Sequence, residues 1–478
     1  MTVAIILALA LLALIAVLFI RAALFVPAKF EASEPSQISL DEDAAAHTLA
    51  EMIKCKTVSS KDKSLEDEAE FEKFKKLLPK LFPEVYEASD YEEVGERAIL
   101  LRWRGESSEA PTVLMAHYDV VSAEEKKWEK PAFDGIIENG VLWGRGAIDT
   151  KVTLNAILCA VKTLIREGFT PKRDIYMAFA GDEEIGGSGA SDIVKLFKER
   201  NIEPGIVLDE GGAVVEKVFS GVKQPCALIG IAEKGMLNIE YSVEGGGGHA
   251  SSPEPHTPVG KLSGACVRVE RRPFKFRITS PAKSMFDTLA RHSGFSYRLI
   301  FANLWFFSPI LSIITRKSGG ELNALVRTTV AFTQMEGSRG MNVIPPYAKM
   351  VSNHRIIPGE TMESVTKRIR ETVKDESVGI RVIDGMNPSR ISSTECAAWE
   401  LLAGCVSDSW RDAIVSPYLM LACSDSRHWG KICDRVYRFS PLTLSKEERG
   451  YIHGNNERLP VKTVAKAVEF YVRLIRKS

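Results

Sequence analysis

The stretch Val113-Leu-Met-Ala-His117-Tyr-Asp119-Val-Val decides how the chain is read. A short apolar run, 112–116, follows Pro111 and fits a strand buried on both faces of a parallel sheet. Residues two apart on a strand project to one side, so His117 and Asp119 leave the carboxyl end of that run together. Open α/β sheets keep their sites at that end. An imidazole can bind a metal through one nitrogen while a carboxylate holds the other, and Asp119 is placed to be that holder. Taken alone, the pair is weak and reads more readily as a surface or core histidine.

The pattern recurs. The runs 141–143, 174–180 and 206–208 end on Gly144-Arg-Gly-Ala-Ile-Asp149-Thr-Lys151, on Gly181-Asp-Glu183-Glu184-Ile-Gly-Gly and on Asp209-Glu-Gly-Gly. Gly450-Tyr-Ile-His453-Gly-Asn-Asn-Glu457 closes the series in a glycine-flanked loop. Asp149 opens a helix over 152–165, where an N-cap is the bland alternative. Glu183 and Glu184 alone would pass for a solvated acidic loop. Successive apolar runs leading to His/Asp, Asp, Glu/Glu and Asp argue instead for one cluster. His117, Asp149, Glu184, Asp209 and His453 can hold a pair of divalent metals. Two cations (+4), three carboxylates and a hydroxide leave that cluster neutral. Mixed imidazole and carboxylate donors suit zinc, with cobalt or manganese as alternatives. Glu183, outside the ligand set, would move the proton of an attacking water to a leaving nitrogen. The implied reaction is amide hydrolysis.

Composition sets the frame. With 478 residues, 45% hydrophobic and 26% charged, the chain is globular and large enough for several domains. Its 62 basic and 62 acidic residues cancel, which argues against nucleic acid. Eight cysteines form no CxxC pair, Cys159 and Cys266 read as buried thiols, and disulfides stay open. Residues 3–20 carry no polar side chain and as a helix would reach about 27 Å, close to a hydrocarbon core. A single-pass anchor over 1–27, with a tether over 28–40, is favoured over a cleaved signal peptide. The side of the membrane stays open.

Amphipathic helices are expected at 41–54 and 65–78, the second stopped by Pro79. Strands at 237–243, 326–333, 348–356 and 378–383, with helices at 259–271 and 360–373, follow a ferredoxin-like βαββαβ order. Residues 233–388 thus read as an α+β domain inserted between catalytic segments 41–232 and 389–478. The aromatic stretch 295–310 is too polar and proline-broken for a second span. It reads as lid core or as the lining of an acyl pocket.

The five motifs resemble the co-catalytic di-zinc peptidases that include aminoacylase, glutamate carboxypeptidase and carboxypeptidase S. Within them the likeness is greatest to carboxypeptidase S and the N-acyl-amino-acid hydrolases. The resemblance runs from about residue 45 to the C-terminus. It implies an aminopeptidase-like α/β catalytic domain, a mixed sheet with helices on both faces, and an inserted lid that often mediates homodimerisation. It implies that Asp149 bridges two zinc ions, that His117 and Asp209 complete one site, and that Glu184 and His453 complete the other. Glu183 becomes the general base and Asp119 the partner of His117. His249, in Gly-His-Ala-Ser-Ser-Pro, matches a lid histidine that reaches the substrate carbonyl. Asn342 and Arg355 match positions that hold a substrate carboxylate, for which the planar guanidinium is suited. Val152 and Cys423-Ser-Asp-Ser-Arg depart from the usual pattern and bear on pocket shape. The expected activity is a carboxypeptidase on short peptides; an N-acyl-amino-acid amidohydrolase/synthase is the alternative, and a silent binding protein a distant third.

Overall fold

The computed structural model describes residues 2–27, 38–218 and 221–478. Most of the expected tether, 28–37, lies outside them. The larger sheet is mixed and ten-stranded. At its centre Arg173–Ala180, Ser107–His117, Ile206–Asp209 and Val436–Arg438 run parallel. His117 stands beside Ala180 and Leu114 beside Leu208, so these strands release their chains along one edge. Helices Glu42–Ile53, Lys151–Arg166, Ala397–Ser409 and Val461–Lys477 cover one face. Gly189–Glu199 and the short helical segment Asp425–Lys431 cover the other. The central strands are buried on both sides, as continuous apolar runs require.

The second sheet has the order Thr329–Glu336, Tyr347–Ile356, Gly235–Glu244, Gly379–Met386, with every pairing antiparallel. Strand Gly235–Glu244 alternates buried and half-buried residues, and Pro258–Arg271 and Met362–Val373 pack on the buried face. That is the ferredoxin-like arrangement.

Three details differ from expectation. The second helix runs through Pro79 to Leu81. A proline so near a helix end sacrifices little, and the break comes at Pro83, which opens the next helix. Cys159 and Cys266 are half-buried; all eight cysteines are free. The aromatic stretch forms helices Phe295–Phe301 and Leu304–Ser318, bent by 102°. Trp305, Phe306, Ile310 and Ile313 on it are exposed, while Tyr297 and Phe301 pack against the core of the larger sheet, so it is not the core of a lid. Phe301, Leu304 and Trp305 line a pocket with Arg21 and Phe25, not one beside the motif carboxylates. The preceding helix, Ser280–Arg291, does join a core, but that of the larger sheet. Thr2–Leu24 is one apolar helix whose side chains are mostly exposed.

Candidate metal centre

Each motif is fixed by bonds that start in its own sequence. His117 is buried at its strand end, with Nδ1 3.0 Å from the Asp119 carbonyl and 3.4 Å from its Oδ1. Nε2 is thereby left facing Asp149 Oδ1 at 3.1 Å and Glu210 Oε1 at 3.4 Å. Asp119 is fully buried, and its oxygens accept from Ser59 Oγ (2.7 Å) and from the amides of Glu183 and Glu184 (3.1 Å each). One carboxylate therefore orients the histidine and fastens the turn that carries both glutamates. Gly186, with φ of 66°, lets the chain leave that turn. Gly181 sits so close to the Tyr118 ring that a Cβ would come within 2.5 Å of it.

The loop bearing Asp149 is held by Glu457, which is fully buried. Its carboxylate accepts from Arg145 Nη1 (2.7 Å) and from the amides of Gly146 (3.0 Å), Ile148 (2.6 Å) and Asp149 (3.1 Å). The Asp149–Thr150 peptide bond is cis. The cap position of the following helix belongs to Thr150, so the bland role of Asp149 as N-cap does not apply. Its carboxylate lies between two histidines: Oδ1 faces His117, and Oδ2 is 3.1 Å from His453 Nε2. His453 Nε2 is also 3.0 Å from Glu184 Oε2. His453 adopts φ of 57° in its turn.

His117, Asp149 and Glu184 bring ligand atoms within 4.8 Å of one another, and so do His117, Glu183 and Glu210. Donors around a tetrahedral ion with bonds of ~2.0–2.1 Å are separated by roughly 3.3 Å, close to the 3.0–3.4 Å between each histidine Nε2 and its carboxylate neighbours. Asp209 stands apart from them. It shares the sheet face of Val207, which packs with Trp429 and Val436, and its Oδ2 accepts the Ser426 amide at 2.8 Å. Glu210, one residue later and past the strand end, turns to His117. Adjacent carboxylates point opposite ways, so the apolar run alone did not say which one enters the cleft.

The electrostatics favour cations. Burial disfavours a charged His117, but Glu210 and the bonds from Asp119 and Asp149 hold its pKa well above 6.5. His453 is raised to about 10 by Asp149 and Glu184. Burial pushes Glu210 up to about 7 and Glu183 well above the carboxylate range. Burial also acts to raise Asp149, yet the two histidines outweigh it and hold the group low. The cluster thus draws protons where positive charge is wanted. Carboxylates and imidazoles without a thiolate suit hard or borderline divalent ions.

The cleft, about 220 Å³, is lined by Asp149, Glu183, Glu184, Glu210 and His453 together with Ile148, Ala213, Met420, Leu442, Leu444 and Ile452. Cys423 also lines it, and Arg355 Nη1 donates to Cys423 Sγ at 3.5 Å, which sets Arg355 at its border. His249 and Asn342 lie on a separate exposed ribbon, where Gly248–His249 pairs with Val343–Ile344 and the Ala250 amide donates to the Asn342 carbonyl. The structure brings those two together, away from the metal-ligand cluster's own contacts. Asp425 escaped the sequence reading. It is buried, its carboxylate has no hydrogen-bond partner among the described residues although Arg427 Nη2 lies 4.0 Å from Oδ1, and burial with neighbouring Asp209 raises its pKa.

A parallel-strand edge that carries His117, Glu183, Glu184 and Glu210, with Asp149 and His453 brought to it by loops, is the arrangement of a metal-dependent hydrolase. Comparison makes this specific. The profile of peptidase family M20/M25/M40 matches residues 113–477, and the chain belongs to that family. It is 34% identical over 463 residues to a probable carboxypeptidase S-like 2 of Dictyostelium discoideum, covering 94% of this chain and 89% of that protein. It is 36% identical over 412 residues to the N-fatty-acyl-amino acid synthase/hydrolase PM20D1 of Xenopus tropicalis, covering 85% and 80%. Among solved structures, the M20 metallo-carboxypeptidase Sso-CP2 of Sulfolobus solfataricus superposes with a TM-score of 0.69 at 17% identity, over 92% of this chain and 99% of that one. The α/β fold is therefore that of M20 metallopeptidases.

Proposed function

We propose that the chain hydrolyses an amide bond in small substrates with a free carboxylate, acting as a carboxypeptidase on short peptides. The observation that carries this is Asp149, whose two oxygens each face a different histidine. His117 and Glu210 would complete one metal position with it, and Glu184 and His453 the other. Glu210 takes the place first given to Asp209, whose carboxylate is engaged by Ser426. Bound zinc ions, or cobalt or manganese, would supply Lewis acidity to the scissile carbonyl and acidify water. Glu183, held by its amide on Asp119 but with its carboxylate free to reach the cleft, takes the proton of the attacking water and passes it to the leaving nitrogen.

Arg355 at the cleft border would bind the substrate carboxylate, with Asn342 and His249 arriving from the lid ribbon, in a homodimer from the partner copy. Residues 233–388 act as that lid, and Thr2–Leu24 as a membrane anchor. A second reading, N-acyl amino acids as substrates, is favoured by the apolar wall of Met420, Leu442, Leu444 and Ile452. The relatives named for each activity support both. The test is mass-spectrometric cleavage of a mixed pool of dipeptides and N-fatty-acyl amino acids by the zinc-loaded chain. Loss of dipeptides alone establishes the carboxypeptidase; loss of acyl amino acids alone establishes the second reading. If neither is cleaved with metal bound, amide hydrolysis is wrong.

A further inference from the structure

Helix Leu304–Ser318 is inside out for a protein in water. Its Ser312 and Thr315 face inward: Arg327 donates through Nη1 to Thr315 Oγ1 (2.8 Å) and through Nη2 to the Ser312 carbonyl (2.7 Å) and Oγ (2.8 Å). Its other face carries Phe306, Ile310 (52% exposed), Ile313 (57%) and Ile314, spaced three and four apart on one stripe, and Trp305 (59%) is exposed at its start. Phe295, on the short helix before it, is exposed as well. An apolar stripe of this width, turned outward while the polar side is satisfied within, calls for a nonaqueous cover.

The position of the N-terminal helix says what covers it. Thr2–Leu24 would extend about 34 Å, enough to cross a hydrocarbon core of ~30 Å. Its single charged residue, Arg21, lies near the carboxyl end and donates to the Ala302 carbonyl (2.8 and 3.1 Å) and to Asn303 Oδ1 (3.1 Å). Asn303 Nδ2 donates back to the Leu18 carbonyl at 3.0 Å. Phe19 packs on Phe295 with centroids 5.6 Å apart, and Arg291 lies over Phe25. The bend between the two short helices is thereby clamped to the level at which the N-terminal helix leaves the membrane. At 15 residues, about 22 Å, and with a polar inner side, Leu304–Ser318 is too short and too polar to span. It can lie in the interface, with Arg316 and Lys317 at its end for lipid headgroups.

We propose that residues 295–318 form an interfacial membrane-docking element that seats in the lipid leaflet beside the N-terminal helix and holds the catalytic domain against the bilayer. The proposal rests on the reading of Thr2–Leu24 as an anchor. The test is to reconstitute the full chain in vesicles of phosphatidylcholine with a minor share of phosphatidylglycerol, carrying a phosphatidylcholine with a diazirine in its acyl chain. After irradiation, adducts are mapped by mass spectrometry. Adducts are expected in 2–20 and on the outward face of 304–314. The variant Phe306→Ser/Ile310→Ser/Ile313→Ser should lose about ten-fold of the adducts in 304–318 while those in 2–20 persist. Its unchanged turnover of a soluble substrate checks that it is folded. Labelling of 2–20 with no more adducts in 304–318 than on exposed Met341 and Val343 overturns the proposal and leaves the anchor standing. Absence of adducts from both segments overturns the anchor and the proposal together. Cross-links between the helices of two copies, in place of lipid adducts, identify a second chain as the cover and also overturn it.

Discussion

The metal cleft and the outward helix pair break the same rule in opposite directions. The cleft gathers His117, Asp119, Asp209 and Glu457 in the interior, where an uncompensated charge is costly. Residues 295–318 send aromatic and branched side chains outward, where water penalises them. In the cleft, Asp119 and Glu457 are satisfied by backbone amides, a hydroxyl and a guanidinium, while the remaining carboxylates converge on a small volume that needs cations. In the helix pair Ser312 and Thr315 are paired inward, while Phe306, Ile310, Ile313 and Ile314 stand exposed. Departures from the burial pattern therefore mark the two surfaces that meet something other than water, and each has the character of its complement.

The sharpest break is chemical. Glu183→Gln keeps size and the amide bond to Asp119 but removes the proton carrier, so kcat should fall about 10²–10⁴-fold with metal content unchanged, measured by steady-state kinetics beside elemental analysis. A fall in bound metal would place Glu183 among the ligands instead. Next comes the support beneath the cleft. Glu457→Gln turns an amide group toward Arg145, leaving a buried guanidinium without its counter-charge. Unfolding should be easier by about 3–5 kcal/mol, read from denaturant midpoints, and metal affinity should weaken about 10–100-fold.

The smaller sheet offers a contrast in its own polar interior. His354 is fully buried; its Nε2 is 2.8 Å from Ser352 Oγ and its Nδ1 has no hydrogen-bond partner among the described residues. Burial lowers its pKa to about 4. The unfolded chain, titrating near 6.5, binds more protons below that value, so this group's contribution is intact above about pH 6.5 and is lost as pH falls towards 4. The loss amounts to roughly 3 kcal/mol at most. Hydrogen exchange in residues 347–356 should accelerate across that window, and His354→Leu should flatten the response.

Much of this was legible in residue order. Apolar runs ending on His117, Glu183 and Glu184 reported the sheet edge because burial on both faces leaves no other place for charged side chains. The run before Asp149 is different: 141–143 is only partly buried, in a separate three-stranded antiparallel sheet, and Asp149 reaches the cleft on its loop. The ferredoxin-like order was readable because its strands and helices keep their own periods. What was not legible depended on packing across the chain. Asp209 and Glu210 differ only in which side of a strand end they take, and Ser426, more than two hundred residues later, meets one of them. Asp425 becomes buried only when 425–431 closes on the sheet. The period of Leu304–Ser318 shows that it has two faces, but only Arg327 reveals that the polar one is inside.

That last point yields the smallest expected effect, and it separates the outward helix from an ordinary core. Ile157, on the helix after Asp149, is fully buried, whereas Ile313 is 57% exposed. Ile157→Ala should remove about 2–5 kcal/mol by opening a cavity among packed neighbours. Ile313→Ser in detergent solution should change stability by only about 0.5 kcal/mol, since most of that side chain is already exposed. Thermal unfolding of the two variants beside the parent decides it. A loss for Ile313→Ser as large as for Ile157→Ala would mean that the outward stripe is packed against protein after all. Near-equality with the parent would mean that its apolar character contributes nothing to folding and is retained for what lies outside the chain.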